Sequence, residues 1–193
     1  MAFSEDFRAA LTELMEWRRD VRRFRRDPVP DVTVERLLGL ANLAPSVGLS
    51  EPWRFLRLES EASRALAQAN FQAANAEALA GYEGDRARLY ASLKLSGMQD
   101  APVQLTVFCD DTTEKGAGLG AASMPEMRAY SCVCAVMQLW LAARAEGLGL
   151  GWVSILDPEQ LAADLEVPGD WRLVAYLCLG WPVEDHTDPE LAR

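Results

Sequence analysis

With 193 residues, half of them apolar and a quarter charged, the chain has ordinary globular composition and enough length to bury one core without disulfide staples. Its net charge of −10 argues against nucleic acid or an anionic membrane as a general partner. A single histidine, His186, leaves no credible Ser/His/Asp triad and argues against a metal cluster.

The basic residues are almost all arginine, since only Lys94 and Lys115 are lysines, and six of the arginines fall between Arg18 and Arg26. The four cysteines read as reduced thiols. Cys109 and Cys178 lie in apolar strand-like runs, and the two-residue spacing of Cys132 and Cys134 points them to different sides of a helix. The N-terminal stretch has early acidic residues and no long apolar core, unlike a signal peptide. No apolar run reaches bilayer length, so a cytoplasmic location is expected.

In chain order, Phe7, Leu11, Leu14 and Met15 predict a helix from Ser4 to Trp17, with Ser4 as N-cap. The arginine-rich run follows, closed by Asp27-Pro28-Val29-Pro30, which must turn or extend. A second amphipathic helix spans Thr33 to Ala44 and stops at Pro45. Pro45 to Gly48 is a loop, and Phe55 to Leu58 a strand. Two helical stretches, Glu61 to Ala80 and Arg86 to Gln99, flank Gly81 to Gly84. Val103 to Cys109 is a buried strand, and Thr112 to Ser123 a loop with three glycines. The helix from Pro125 to Glu146 is apolar nearly all round, which places it centrally or at a subunit interface. Gly147 stops it. Leu148 to Ile155 leads into a strand, Pro158 to Leu165 is a short helix, and Trp171 to Leu179 a final strand. The pattern is α+β, a small central sheet flanked by helices, with residues 1–193 as a single domain.

Three strings carry chemistry. In Arg18-Arg19-Asp20-Val21-Arg22, two planar guanidinium forks suit a phosphate. A helix would bring Arg18 and Arg22 together at i,i+4, and an extended chain would align Arg18, Asp20 and Arg22 by alternation. A solvated basic helix end explains the same residues, as an ion pair explains Asp20; the sharper reading makes Asp20 a carboxylate beside a ligand, able to move a proton. In Ala44-Pro45-Ser46-Val47-Gly48 the loop offers backbone donors and a hydroxyl, although such strings are common turn chemistry. In Gly147-Leu148-Gly149-Leu150-Gly151-Trp152-Val153-Ser154, alternate glycines allow a backbone to approach a ligand closely. The order, helix then strand, is wrong for a dinucleotide fingerprint.

Together the strings resemble the nitroreductase-fold flavoproteins, and within them the branch of 5,6-dimethylbenzimidazole synthases. The resembling segments also include Ser92-Leu93-Lys94-Leu95, Leu139 to Gly147, Leu177-Cys178-Leu179-Gly180 and Pro189-Glu190-Leu191-Ala192, spanning nearly the whole chain in order. The resemblance implies a homodimer with FMN sites at the interface. Reduced FMN would be ligand and substrate, O2 would be co-substrate, and the flavin ring would be broken to give the lower ligand of vitamin B12. It also implies phosphate contacts from Arg18 and Arg22, with Arg19 and Val21 in the same string. Pro45, Ser46, Val47, Leu150 and Gly151 would lie along the flavin, with Lys94 a further contact, and Asp20 and Ser154 near the reactive ring. A separate reductase could supply the reduced flavin. Two other functions fit the same pocket: an FMN-dependent NAD(P)H nitroreductase, and a non-catalytic flavin-binding protein. The chain departs from the family pattern at Glu51, Arg54 and Glu126, and in the plain stretch Gly120 to Met124.

Overall fold

The computed structural model describes residues 2–80 and 96–189. The helix expected from Arg86 to Gln99 lies mostly outside them, as do Gly81 to Gly84, Ser92 to Leu95 and residues 190–192.

The first helix, α1 (Glu5–Trp17), starts where expected, with the Ser4 hydroxyl accepting from the Phe7 amide at 3.2 Å. The second, α2 (Asp31–Ala41), is displaced toward the N-terminus of its expected span. It begins directly after Pro30, whose carbonyl accepts from Thr33 and Val34. It ends early because Asn42 caps it and Pro45 disfavours helical backbone just before itself. Strand β1 (Trp53–Arg57) also starts before its expected position, since Trp53 already pairs with Cys109. Helix α3 (Glu61–Ala80) has the expected bounds, followed in the described residues by the short α4 (Gly97–Asp100) and β2 (Val103–Asp110). Then come α5 (Met127–Ala145), β3 (Gly149–Val153), α6 (Pro158–Asp164) and β4 (Trp171–Gly180). Two short 3₁₀ turns, Val47–Leu49 and Lys115–Gly118, sit in the loops.

The four strands form one antiparallel sheet in the order β1-β2-β4-β3. Both of its faces are covered, which is why β2 and β4 are long apolar runs rather than alternating ones. Val103, Leu105, Val107, Leu177 and Leu179 point to one face and pack against Leu37 and Ala41 of α2 and Ala135, Val136 and Leu139 of α5. Tyr176 and Cys178 point to the other face, against Ala67 of α3 and Leu161 of α6. The polar residues buried there are satisfied: Gln104 donates to the Met98 carbonyl at 2.8 Å and accepts from the Tyr176 hydroxyl.

Helix α5 ends as its glycine predicts. Gly147 adopts φ 75°, the Leu148 amide reaches back to the Ala143 carbonyl and the Gly147 amide to the Arg144 carbonyl, which together form a Schellman cap. One side of α5 is in the core, while Tyr130, Val133 and Met137 on its other side are exposed in the single chain. Helix α1 buries no residue at all; Phe7, Leu11 and Met15 are exposed along it, and Phe3 is exposed just before it. All four cysteines are free, with Cys132 buried and Cys134 exposed. Contact with Cys132, then burial, pushes the Cys109 thiol up, and burial does the same for Cys178, so both stay protonated.

Candidate functional site

The site begins where α1 stops. Arg18 is the C-cap, with φ −71° and ψ 106°, so the chain is extended from this point and the helical alternative for the arginine string is excluded. The segment then runs along the outer edge of β3. Asp20 bridges to Leu150 in parallel, the Val21 amide donates to the Leu150 carbonyl at 3.1 Å, and the Trp152 amide donates to Asp20 Oδ1 at 2.9 Å. Asp20 Oδ2 lies 3.3 Å from Arg22 Nε, so the carboxylate is held between a backbone donor and a guanidinium.

Glycine makes this attachment possible. A Cβ on Gly151 would stand 2.2 Å from the Val21 carbonyl oxygen, and one on Gly149 would stand 2.7 Å from the Val21 side chain. The close backbone approach that alternate glycines permit is made here by the chain's own arginine segment. Leu150 is wholly buried, contributing its backbone to the segment and its side chain to the core.

The extended segment forms one wall of a cleft of about 280 Å³. Arg18, Arg19, Arg22 and Arg23 line it, joined by Arg144 from the last turn of α5. Two tryptophans steady the guanidinium groups, with Arg18 4.8 Å from the Trp140 ring centre and Arg144 5.8 Å from that of Trp17. The opposite wall is the segment after β4, through Glu184, Asp185, His186 and Asp188. Asp185 pairs with Arg144 at 2.6 Å, Glu184 with Arg23, and Arg19 donates through Nε to the Thr187 carbonyl. A small crevice next to it, shared by Asp20, Arg22, Gly151, Trp152 and Cys178, leads along β3. Ser154 is exposed two residues beyond Trp152 on the same run.

The structure therefore gathers Arg18, Arg19, Asp20, Val21, Arg22, Leu150 and Gly151 in one place. Pro45, Ser46 and Val47 stand elsewhere. The Ser46 hydroxyl accepts from the Glu51 amide, and the Val47 amide donates to Ser131 Oγ, both at 3.1 Å. Ser131 is in the first turns of α5, while Trp140 is nine residues further along, a separation of roughly 14 Å at 1.5 Å per residue. Lys94 lies outside the described residues.

The glycine-rich loop docks on the turn after Val47, where a Cβ on Gly116 would meet the Gly48 carbonyl oxygen at 2.2 Å. Two of the residues that depart from the family pattern have partners here: Glu51 pairs with Lys115, and Arg54 with Asp110 at 2.7 Å. Residues that sequence reasoning missed are Arg144, Arg23, His186 and Ser131. Arg144 carries only the weak signal of a basic residue in a last helical turn. Arg23 sits in the visible arginine run, one residue past Arg22, whereas His186 and Ser131 carry no signal because their relation to the site is entirely long-range.

A nitroreductase fold with an arginine-lined cleft at the edge of its sheet defines a class. The chain belongs to the nitroreductase family, whose model matches residues 15–181. It is 55% identical over 191 residues to a 5,6-dimethylbenzimidazole synthase of Rhodospirillum rubrum, covering 99% of this chain and 90% of that one. To a 5,6-dimethylbenzimidazole synthase of Rhodobacter capsulatus it is 49% identical, covering 100% and 93%. Among solved structures, an oxidised iodotyrosine deiodinase bound to FMN and 3-iodo-L-tyrosine superposes with a TM-score of 0.77 at 24% identity, covering 91% of each chain.

Proposed function

We propose that the chain is a 5,6-dimethylbenzimidazole synthase, which consumes reduced FMN and O2 to release the lower ligand of vitamin B12. The observation that carries this is the 55% identity to a synthase of that name over 99% of the chain. The residues of the cleft fit FMN. Arg18, Arg19 and Arg22 line one wall, and guanidinium forks beside tryptophan faces suit a phosphate ester. The bound reduced flavin supplies the electrons for oxygen and the ring that is broken.

The chain's own groups do the rest. Arg18, Arg19 and Arg22 hold the phosphate, while Leu150 and Gly151 form the floor under the segment that carries them. Asp20, fixed by the Trp152 amide and Arg22, holds or takes a proton at Oδ1 or Oδ2. Ser154 orients hydrogen bonds at the end of the same run. No nicotinamide site is required, because a separate reductase can deliver reduced flavin.

The partner chain of a homodimer completes the site by bringing its Pro45-Ser46-Val47 strip to the arginine cleft. Support comes from the separation of that strip within one chain and from the exposed apolar stripe of Tyr130, Val133 and Met137. Met137→Glu is expected to convert a dimer into a 21.3 kDa monomer in sedimentation and to weaken FMN binding at least tenfold, roughly. A wild-type monomer that binds FMN normally would refute this arrangement.

The test of function is a single turnover. Protein loaded anaerobically with reduced FMN is exposed to oxygen and its products are separated by chromatography. 5,6-Dimethylbenzimidazole with matching loss of flavin is expected. Full recovery of intact oxidised FMN would instead point to a recycled cofactor.

A further inference from the structure

The cleft that receives the arginines is also filled by acid. Its five arginines face four carboxylates, those of Asp20, Glu184, Asp185 and Asp188. Three of these belong to the segment after β4, and that segment is attached in two different ways. Its root is tied by main-chain hydrogen bonds: the Val183 amide donates to the Arg23 carbonyl at 3.1 Å, and Pro182 bridges to Phe24. Beyond Val183, among the described residues, no main-chain to main-chain hydrogen bond holds it. The contacts there include Glu184 with Arg23, Asp185 with Arg144, and the Thr187 carbonyl with Arg19. Arg144 is only 17% exposed on its side chain, so this pairing is partly shielded from water.

We propose that residues 184–188 are an internal competitor for the flavin phosphate, which makes FMN a releasable substrate rather than a resident group. The proposal rests on the reading that this cleft takes the FMN phosphate. A phosphate monoester carries nearly two negative charges at neutral pH and seeks the same arginine-lined cleft, where the strap's carboxylates hold Arg23 and Arg144 and its Thr187 carbonyl holds Arg19. With the strap in place the cleft is almost neutral. With it displaced, Asp20 is the one carboxylate, among the described residues lining the cleft, left to oppose its arginines. A flavoprotein that recycles its cofactor gains from an uncompensated grip. An enzyme that destroys FMN must release a phosphate-bearing remnant at every turnover, and a strap that returns to Arg23 and Arg144 promotes that release. Glu184 and Asp185 are then specificity-determining residues, because their competition acts on the phosphate and not on the flavin ring.

The experiment compares oxidised FMN with riboflavin by quenching of flavin fluorescence, in wild type and in Glu184→Gln/Asp185→Asn. In the variant, FMN is expected to bind roughly tenfold more tightly at low salt, the sum of two modest partly exposed ion pairs removed from competition. Riboflavin affinity should stay within about twofold. Limited proteolysis of the wild type provides a measurement free of any folding defect, and cleavage after Glu184 by a glutamate-specific protease should accelerate with FMN but not with riboflavin. Unchanged or weaker FMN binding by the variant, or strap cleavage that ignores FMN, overturns the proposal. Wild-type protein that binds riboflavin as tightly as FMN, with no competition by inorganic phosphate, overturns the phosphate reading of the cleft and the strap proposal with it.

Discussion

Asp20→Asn is expected to keep reduced FMN bound while lowering formation of 5,6-dimethylbenzimidazole by about 10²–10⁴-fold, the range for loss of a positioned proton-transfer group. The exchange is nearly isosteric, and the side-chain oxygen of the new carboxamide can still accept from the Trp152 amide that now holds Asp20 Oδ1 at 2.9 Å. What is lost is charge. The ion pair with Arg22, at 3.3 Å and with the Asp20 side chain 36% exposed, is worth at most about 1 kcal/mol to the fold. The melting temperature should therefore move by only a few degrees, roughly. Turnover should collapse while the absorbance of bound flavin persists, and Ser154→Ala should show a smaller fall in the same assay. Product at the wild-type rate from Asp20→Asn would remove Asp20 from the chemistry. Loss of flavin binding in step with loss of product would make it a structural anchor of the arginine segment.

That second outcome has a structural basis, because the same carboxylate ties the arginine segment to β3. The sequence shows a carboxylate among arginines, and its alternation with Arg18 and Arg22 is legible once the chain is known to be extended. The partner that fixes it, an amide of β3, is more than a hundred residues away and has no sequence signature.

The same contrast runs through the molecule. Local chemistry is readable: the Ser4 cap, the bounds of α3, the glycine stop of α5, and the apolar runs of β2 and β4 all follow from residues within a few positions of each other. Edges set by tertiary pairing are not. β1 begins at Trp53 because Cys109 lies opposite it on the neighbouring strand. The site divides likewise. Its arginines form a string, but its acidic wall reaches Arg19 from Thr187, 168 residues away, and Arg144 arrives on a separate helix. The string Pro45-Ser46-Val47 is recognisable as a motif, yet its place beside Ser131 and away from the cleft depends on how α5 crosses the sheet.

Gly151→Ala tests the hidden half of this arrangement. An added Cβ would lie 2.2 Å from the Val21 carbonyl oxygen, a backbone atom that cannot swing aside as a side-chain tip can. The arginine segment must then move off β3. Overpacking of this kind costs about 1–3 kcal/mol. The Val21 amide bond to Leu150 and the Trp152 amide bond to Asp20 would weaken too, at about 1 kcal/mol each. A total of about 3–5 kcal/mol corresponds to a fall in melting temperature of roughly 6–20 °C for a chain of this size. FMN affinity should drop by about tenfold or more, because Arg18, Arg19 and Arg22 ride on the displaced segment. Gly39→Ala is the matched control. It sits inside α2 with nothing within 4 Å of the added methyl group, so it should raise stability by about 0.5–1 kcal/mol and leave flavin binding untouched. If Gly151→Ala melts and binds FMN like wild type, the contact between Val21 and β3 does not hold the arginines, and their grip must come from the helix end at Trp17 and the strap instead.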